Sequence, residues 1–198
     1  MRSHARRNVI DGVILAGGAS SRMGGPKALL QFGDNRLIDA VIARTDSQVR
    51  TLAIDVSRVD VDTYRAQFAQ IILPDLYGDK LGPLCGIVTG LTWCRTDWLA
   101  TFSCDTPFLP RDLVAQLAQH ATDTPVVAKG AQVCGLWPKT CLADLKEGLE
   151  SGALRSVLSA VEALGGTVCA VGAPDHAFFN VNTKDDLAEA LRLSALED

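Results

Sequence analysis

Lys27 follows two glycine pairs, Gly17-Gly18 and Gly24-Gly25, within the stretch VILAGGASSRMGGPKALL at 13–30. Glycines let a chain turn sharply and let a ligand come close to backbone N–H groups. Successive N–H groups form a concavity that suits an anion. Arg22 adds a forked donor and Lys27 a point charge, which together describe a cradle for a triphosphate. The same residues also fit an ordinary glycine-rich connection that carries surface charges. Two familiar phosphate loops are excluded. Lys27 stands between Pro26 and Ala28, so G-x-x-x-x-G-K-[ST] fails, and GGASSR breaks G-x-G-x-x-G.

Further along, Asp105 ends the apolar run WLATFSCD at 98–105. A hard carboxylate beside a triphosphate suits Mg²⁺, which keeps several waters and takes few protein oxygens. A turn or helix-capping aspartate ahead of TPFLP is the competing reading. In FFNVNTKDDLAEAL at 178–191, Asn180 and Asn182 alternate as on a short strand and would face one way. Their amide oxygens could complete a metal or phosphate site. Thr183 would cap the following helix, with Asp185 and Asp186 favouring its N-terminus. Ser20 and Ser21 lack a His/Asp pattern that would make a hydrolase triad. His120 reads as a surface residue, RVDVD at 58–62 as a solvated turn, and Trp93, Trp98 and Trp137 as packing residues, Trp137 with the option of a cleft mouth.

The elements that must position these groups read as an α/β fold. It would be a single Rossmann-like domain whose mostly parallel sheet has helices on both faces and a short antiparallel element. Strands are predicted at 13–16, 51–56, 71–73, 98–105, 125–129, 133–138 and 167–171, the fifth and sixth as an antiparallel pair. Helices are predicted at 37–48, 62–69, from 83, from about 110, at 139–149, 154–164 and 185–193. In open α/β sheets ligands bind beyond the carboxyl ends of the strands. The 17–27 loop, Asp75 and Asp105 all fall at such ends. Residues 1–8 read as a disordered lead and 9–198 as one domain.

The 198 residues are 47% hydrophobic and 21% charged, which excludes a disordered chain. A net charge of −4 argues against a general nucleic-acid binder. No apolar run reaches membrane-spanning length, so neither nucleic acid nor membrane is an expected partner, and a cytoplasmic location is expected. The six cysteines form no CxxC and have three histidines for company, so buried reduced thiols are expected.

LAGGASSRMGGPKALL, PD at 74–75, GPLCG at 82–86, CDTPFLP at 104–110 and NVNTKDDL at 180–187 occur in that order. The combination resembles the molybdenum cofactor guanylyltransferase family of the nucleotidyltransferase superfamily, over nearly the whole chain. The resemblance implies transfer of GMP from GTP to the terminal phosphate of molybdopterin with release of pyrophosphate. It also implies Mg²⁺, and a transient contact with proteins that deliver the cofactor. By the same resemblance, Leu15, Ala16, Gly17 and Gly18 border the nucleotide and Lys27 meets its phosphates. Asp105 matches the magnesium aspartate, and Asp75 matches a residue at the nucleoside. Asn180 and Asn182 match paired asparagines near metal and acceptor.

Three departures stand out. Pro26 precedes the lysine where the family usually has an acid. IDVSR replaces an asparagine-rich run, so Asp55 takes the guanine-facing position, where a carboxylate can accept from N1–H and N2–H₂ together. KGAQVCGLWP at 129–138 is abbreviated and lacks a histidine-proline pair, which leaves the acceptor's contacts open. The alternatives are a molybdopterin cytidylyltransferase, another nucleotidyltransferase, or a non-catalytic nucleotide-binding accessory protein.

Overall fold

β1 (Ile10–Leu15) is buried along its whole length, as expected of a strand covered on both faces. It belongs to a computed structural model that describes residues 9–17, 26–77 and 82–196. The expected lead at 1–8 lies outside the described residues, as do Gly18 and Arg22. β1 is followed by a 3₁₀ turn (Lys27–Leu29), β2 (Gln31–Phe32), β3 (Asn35–Arg36), α1 (Leu37–Thr45), β4 (Leu52–Val56), α2 (Val61–Arg65) and β5 (Ile71–Pro74). Then come α3 (Pro83–Trp93), β6 (Trp98–Ser103), α4 (Leu113–Ala118), β7 (Val126–Ala128) and β8 (Ala131–Pro138). The chain closes with α5 (Leu142–Glu150), α6 (Val157–Ala163), β9 (Thr167–Cys169) and α7 (Lys184–Ser194).

Seven strands form one sheet in the order β5-β4-β1-β6-β8-β7-β9. β5, β4, β1 and β6 pair in parallel, while β8 runs against both β6 and β7. The predicted antiparallel pair is thus β7–β8, joined across Gly130, whose φ of 87° suits glycine. Sequence reading missed the two-residue pair β2–β3. Each strand is too short for alternation to register, although Gly33-Asp34 between them is a hairpin turn signal, and Gly33 sits at φ 60°.

Alternate strand residues feed two cores. Ile14, Ile54, Phe102 and Leu136 pack with Ile38 and Val41 of α1 and Leu113 and Leu117 of α4. Val13, Ala53, Leu99 and Trp137 pack with Ile87 and Leu91 of α3, Leu145 of α5 and Val161 of α6. Trp137 is fully buried, with its indole N–H donating to Thr101 Oγ1 at 3.2 Å, so it packs and lines no cleft mouth. A third cluster, Phe32, Leu37, Phe108 and Val181, receives Ala190 and Leu187 of α7.

α3 begins with Pro83 at its first helical position and lies close on the sheet because of its glycines. A Cβ added at Gly90 would sit 2.8 Å from Leu99 Cδ2 and 2.8 Å from Val13 Cγ1. Gly90→Ala gains helix propensity but overpacks this seam, at a net cost of about 1–2 kcal/mol. In a chain of this size that lowers the melting temperature by about 2–8 °C. A thermal melt followed by circular dichroism checks this, and an unchanged or higher midpoint would show that the seam yields.

Candidate functional site

Parallel pairing brings four strand ends to one edge. Leu15 of β1 lies in register with Asp55 of β4 and with Ser103 of β6. The strands hand over to backbone ties just past their ends. Ala16 N donates to Asp55 O at 2.8 Å, and Asp75 N donates to Val56 O at 2.9 Å. Leu15 is buried, Ala16 half-buried and Gly17 exposed, so the chain reaches the surface at this edge by Gly17.

Lys27 opens the 3₁₀ turn after that loop and reaches across the edge of β1. Its Nζ donates to Asp105 Oδ2 at 2.6 Å and to Asn182 Oδ1 at 2.7 Å. Residues separated by 78 and 155 positions thus converge on one ammonium. Asp105 lies two residues beyond β6, and its other oxygen, Oδ1, accepts from Ser103 Oγ at 2.6 Å. The Lys27–Asp105 pair is largely shielded, with each side chain 17% exposed. Contacts between charged groups are stronger in such shielded positions than in open solvent.

Asn182 arrives differently from the sequence expectation. Residues 180–182 form no strand. Val181 instead donates its N–H to the Asp105 carbonyl at 2.9 Å and buries its side chain. Asn180 and Asn182 on either side are exposed, and Asn182 supplies the contact with Lys27. The α7 cap holds it there. Asp186 Oδ2 accepts from Asn182 N at 2.9 Å and from Thr183 N at 2.8 Å, and Thr183 Oγ1 accepts from Asp186 N at 3.1 Å. These donors, led by the Asn182 N–H, hold the Asp186 carboxyl below its ordinary range.

The other two carboxylates lie along the same edge of the sheet, at the ends of β4 and β5. Asp55 is 1% exposed and Asp75 is 4% exposed. Asp55 Oδ2 lies against α3, where a Cβ on Gly86 would fall within 2.6 Å of it, and close under Gly17. Asp75 Oδ1 accepts from Tyr77 N at 2.7 Å. Arg58, expected in a solvated turn, clamps this segment by donating to the carbonyls of Asp75 at 2.9 Å and Leu76 at 2.6 Å. Ser103 and Arg58 are the residues that sequence reading passed over. Ser103 carried one signal: at two residues from Asp105 it shares a side of the extended chain.

Oxygens that converge on one cationic nitrogen also suit Mg²⁺, which needs only one or two protein oxygens when phosphates supply others. Among the described residues no group of three or more His, Cys, Asp or Glu is placed to hold a metal ion by itself. Thiol chemistry fits the site poorly. Desolvation, then the Asp105 charge, pushes the Cys104 thiol up to about 12, and all six cysteines are free thiols. His120 is exposed at the end of α4. No helix of the described residues is long and apolar enough to cross a membrane.

The MobA-like NTP transferase domain family matches residues 12–164. The chain is 36% identical to a molybdenum cofactor guanylyltransferase of Mesorhizobium japonicum, over 94% of this chain and 97% of that protein. It is also 36% identical to one of Bradyrhizobium sp., over 96% and 95%. In fold it is similar to the molybdopterin-guanine dinucleotide biosynthesis protein A of Archaeoglobus fulgidus, with a TM-score of 0.78 and 19% identity, over 94% of this chain and 100% of that one. The 2-C-methyl-D-erythritol 4-phosphate cytidylyltransferase of Thermus thermophilus shares the fold at a TM-score of 0.74 and 17% identity, over 94% and 99%. The chain belongs to the MobA-like NTP transferase family, among its molybdenum cofactor guanylyltransferases.

Proposed function

We propose that this chain transfers GMP from GTP to the terminal phosphate of molybdopterin and releases pyrophosphate. The observation that carries the reading is the meeting of Lys27, Asp105 and Asn182 at the carboxyl edge of the sheet, directly after the glycine loop. An acceptor phosphate oxygen attacks the α-phosphorus in line. A new P–O bond forms as the bond to the bridging oxygen of pyrophosphate breaks. The attacking oxygen is already anionic, so no protein nucleophile or general base is required. Catalysis is then positioning and electrostatics.

Lys27 is the counter-charge for the phosphates, aided by Arg22 and the N–H groups around Gly17 and Gly18. Leu15 and Ala16 border the nucleotide. Asp105, with Asn182 and Asn180 beside it, would hold Mg²⁺, which when bound neutralises phosphate charge and raises the electrophilicity of phosphorus. Asp55 and Asp75 flank the nucleoside. Transient contact with cofactor-delivering proteins and a single-domain organisation belong to the same reading. So does a cytoplasmic location.

Guanine presents two neighbouring donors on one edge, whereas cytosine places an amino donor beside acceptors. A buried carboxylate facing that edge favours guanine and meets cytosine acceptor to acceptor. Such a contact is worth about 1–3 kcal/mol, so GTP is expected to exceed CTP by about 10- to 100-fold in kcat/KM. Turnover is measured as pyrophosphate release with molybdopterin as acceptor, for wild type, Asp55→Ala and Asp75→Ala. Loss of the carboxylate that faces the base shrinks the preference about tenfold. A wild-type preference for CTP would replace guanylyl by cytidylyl transfer and leave the phosphate site standing.

A further inference from the structure

We propose that Ser103 is a positioning residue that decides which oxygen of Asp105 meets a bound divalent cation; the proposal rests on reading Asp105 as the cation carboxylate. The two oxygens of Asp105 have different company. Oδ1 accepts from Ser103 Oγ at 2.6 Å, while Oδ2 faces the Lys27 ammonium at 2.6 Å and the side where Asn182 Oδ1 points. The hydroxyl therefore takes one oxygen out of play and leaves the other turned toward the cationic cluster.

Ser103 is well placed to do this because its own backbone is fixed. It is the last residue of β6, in register with Leu15 of β1, and its carbonyl accepts from Thr106 Oγ1 at 3.1 Å. Thr106 is itself 1% exposed. The Asp105 backbone is fixed as well, through its carbonyl and the Val181 N–H at 2.9 Å. The remaining freedom of Asp105 lies in its side-chain torsions, and the Ser103 hydroxyl restrains them. Mg²⁺ demands near-octahedral geometry, with its remaining positions taken by waters and phosphate oxygens. A carboxylate free to rotate can take two of those positions. One held by Ser103 takes one.

The partners of metal ligands typically change metal affinity 10- to 100-fold when removed. The experiment titrates Mn²⁺ into the full chain saturated with the α,β-methylene analogue of GTP, with free Mn²⁺ read by electron paramagnetic resonance. Ser103→Ala is expected to weaken Mn²⁺ binding about tenfold, with GMP transfer at saturating metal within about threefold of wild type. Ser103→Thr and Ser103→Val have the same shape and differ in the hydroxyl. Thr is expected to keep wild-type affinity and Val to behave as Ala does. Equal behaviour of Thr and Val overturns the proposal, even should the alanine variant fold poorly. Asp105→Asn separates the two levels. Its loss of Mn²⁺ affinity, beside unchanged affinity in Ser103→Ala, overturns the role of Ser103 alone. Unchanged affinity in Asp105→Asn overturns the reading of Asp105, and the proposal with it.

Discussion

Asp105→Ala is expected to lower kcat/KM for GMP transfer by on the order of 10³-fold or more, since a bound cation offsets several kcal/mol of transition-state charge. The fold should survive. Asp105 lies beyond the end of β6, outside the sheet's hydrogen-bonded core, and its carbonyl bond to Val181 N needs no side chain. The substitution leaves Lys27 with Asn182 as an oxygen partner, so the ammonium is not stranded. The melting temperature should therefore move by no more than about 2–4 °C, the equivalent of about 1 kcal/mol in a chain of this size. Asp105→Asn is the finer variant. It keeps one oxygen, for Lys27, and presents its amide N–H to Ser103 Oγ, which then accepts, while removing the charge. Steady-state turnover in both variants, beside circular dichroism melts, gives the test. Near-normal turnover in either would remove Asp105 from the chemistry. Loss of turnover together with a collapsed melt in Asp105→Ala, but not in Asp105→Asn, would assign the residue a structural role.

The fold was legible because each layer carries its own period. The apolar run around Val13–Ala16 and the helical spacing of Leu37, Ile38, Val41 and Ile42 name buried strand and amphipathic helix without outside help. Boundaries moved where side chains outside the element decide them. The predicted helix at 62–69 stops at Arg65, and the one expected from Pro110 begins at Leu113, where Asp112 makes no side-chain cap and Gln48 Oε1 accepts from Val114 N at 2.9 Å. β2–β3 escaped because two residues cannot show an alternation. The site was legible in part. Lys27, Asp75 and Asp105 stand at strand ends, where the architecture alone makes polar residues informative. The route by which Asn182 arrives was not legible. Alternation suggested a strand, but the segment is held by a tie to the Asp105 carbonyl and by the Asp186 cap, both long-range or local contacts that no periodicity encodes. Arg58 was hidden for the same reason, since its acceptors are backbone carbonyls of another segment.

Lys27→Ala is expected to weaken GTP binding about 10- to 100-fold and to leave guanosine binding within about twofold, because hydrogen bonds to charged groups contribute about 1.5–3 kcal/mol. The pairing of ligands matters because Lys27 has a second job in the folded chain. Its ammonium ties the turn after β1 to the end of β6 and to the segment before α7. If that cross-link were its whole contribution, removing it would loosen the edge of the sheet on which both ligands depend, and both affinities would fall together. If Lys27 meets phosphates, guanosine, which carries none, is spared. Lys27→Arg separates charge from shape. It keeps the charge in a planar fork whose nitrogens cannot reproduce a single amine shared between Asp105 and Asn182, so GTP affinity should fall between wild type and alanine. Raising the salt concentration should narrow the gap between wild type and alanine for GTP only in part, because the largely shielded Lys27 is screened less than an exposed charge, and should leave guanosine unmoved. Isothermal titration of GTP and of guanosine into the three proteins at low and high salt measures this. Parallel losses for GTP and guanosine would make Lys27 a brace and leave the loop N–H groups and Arg22 as the phosphate site.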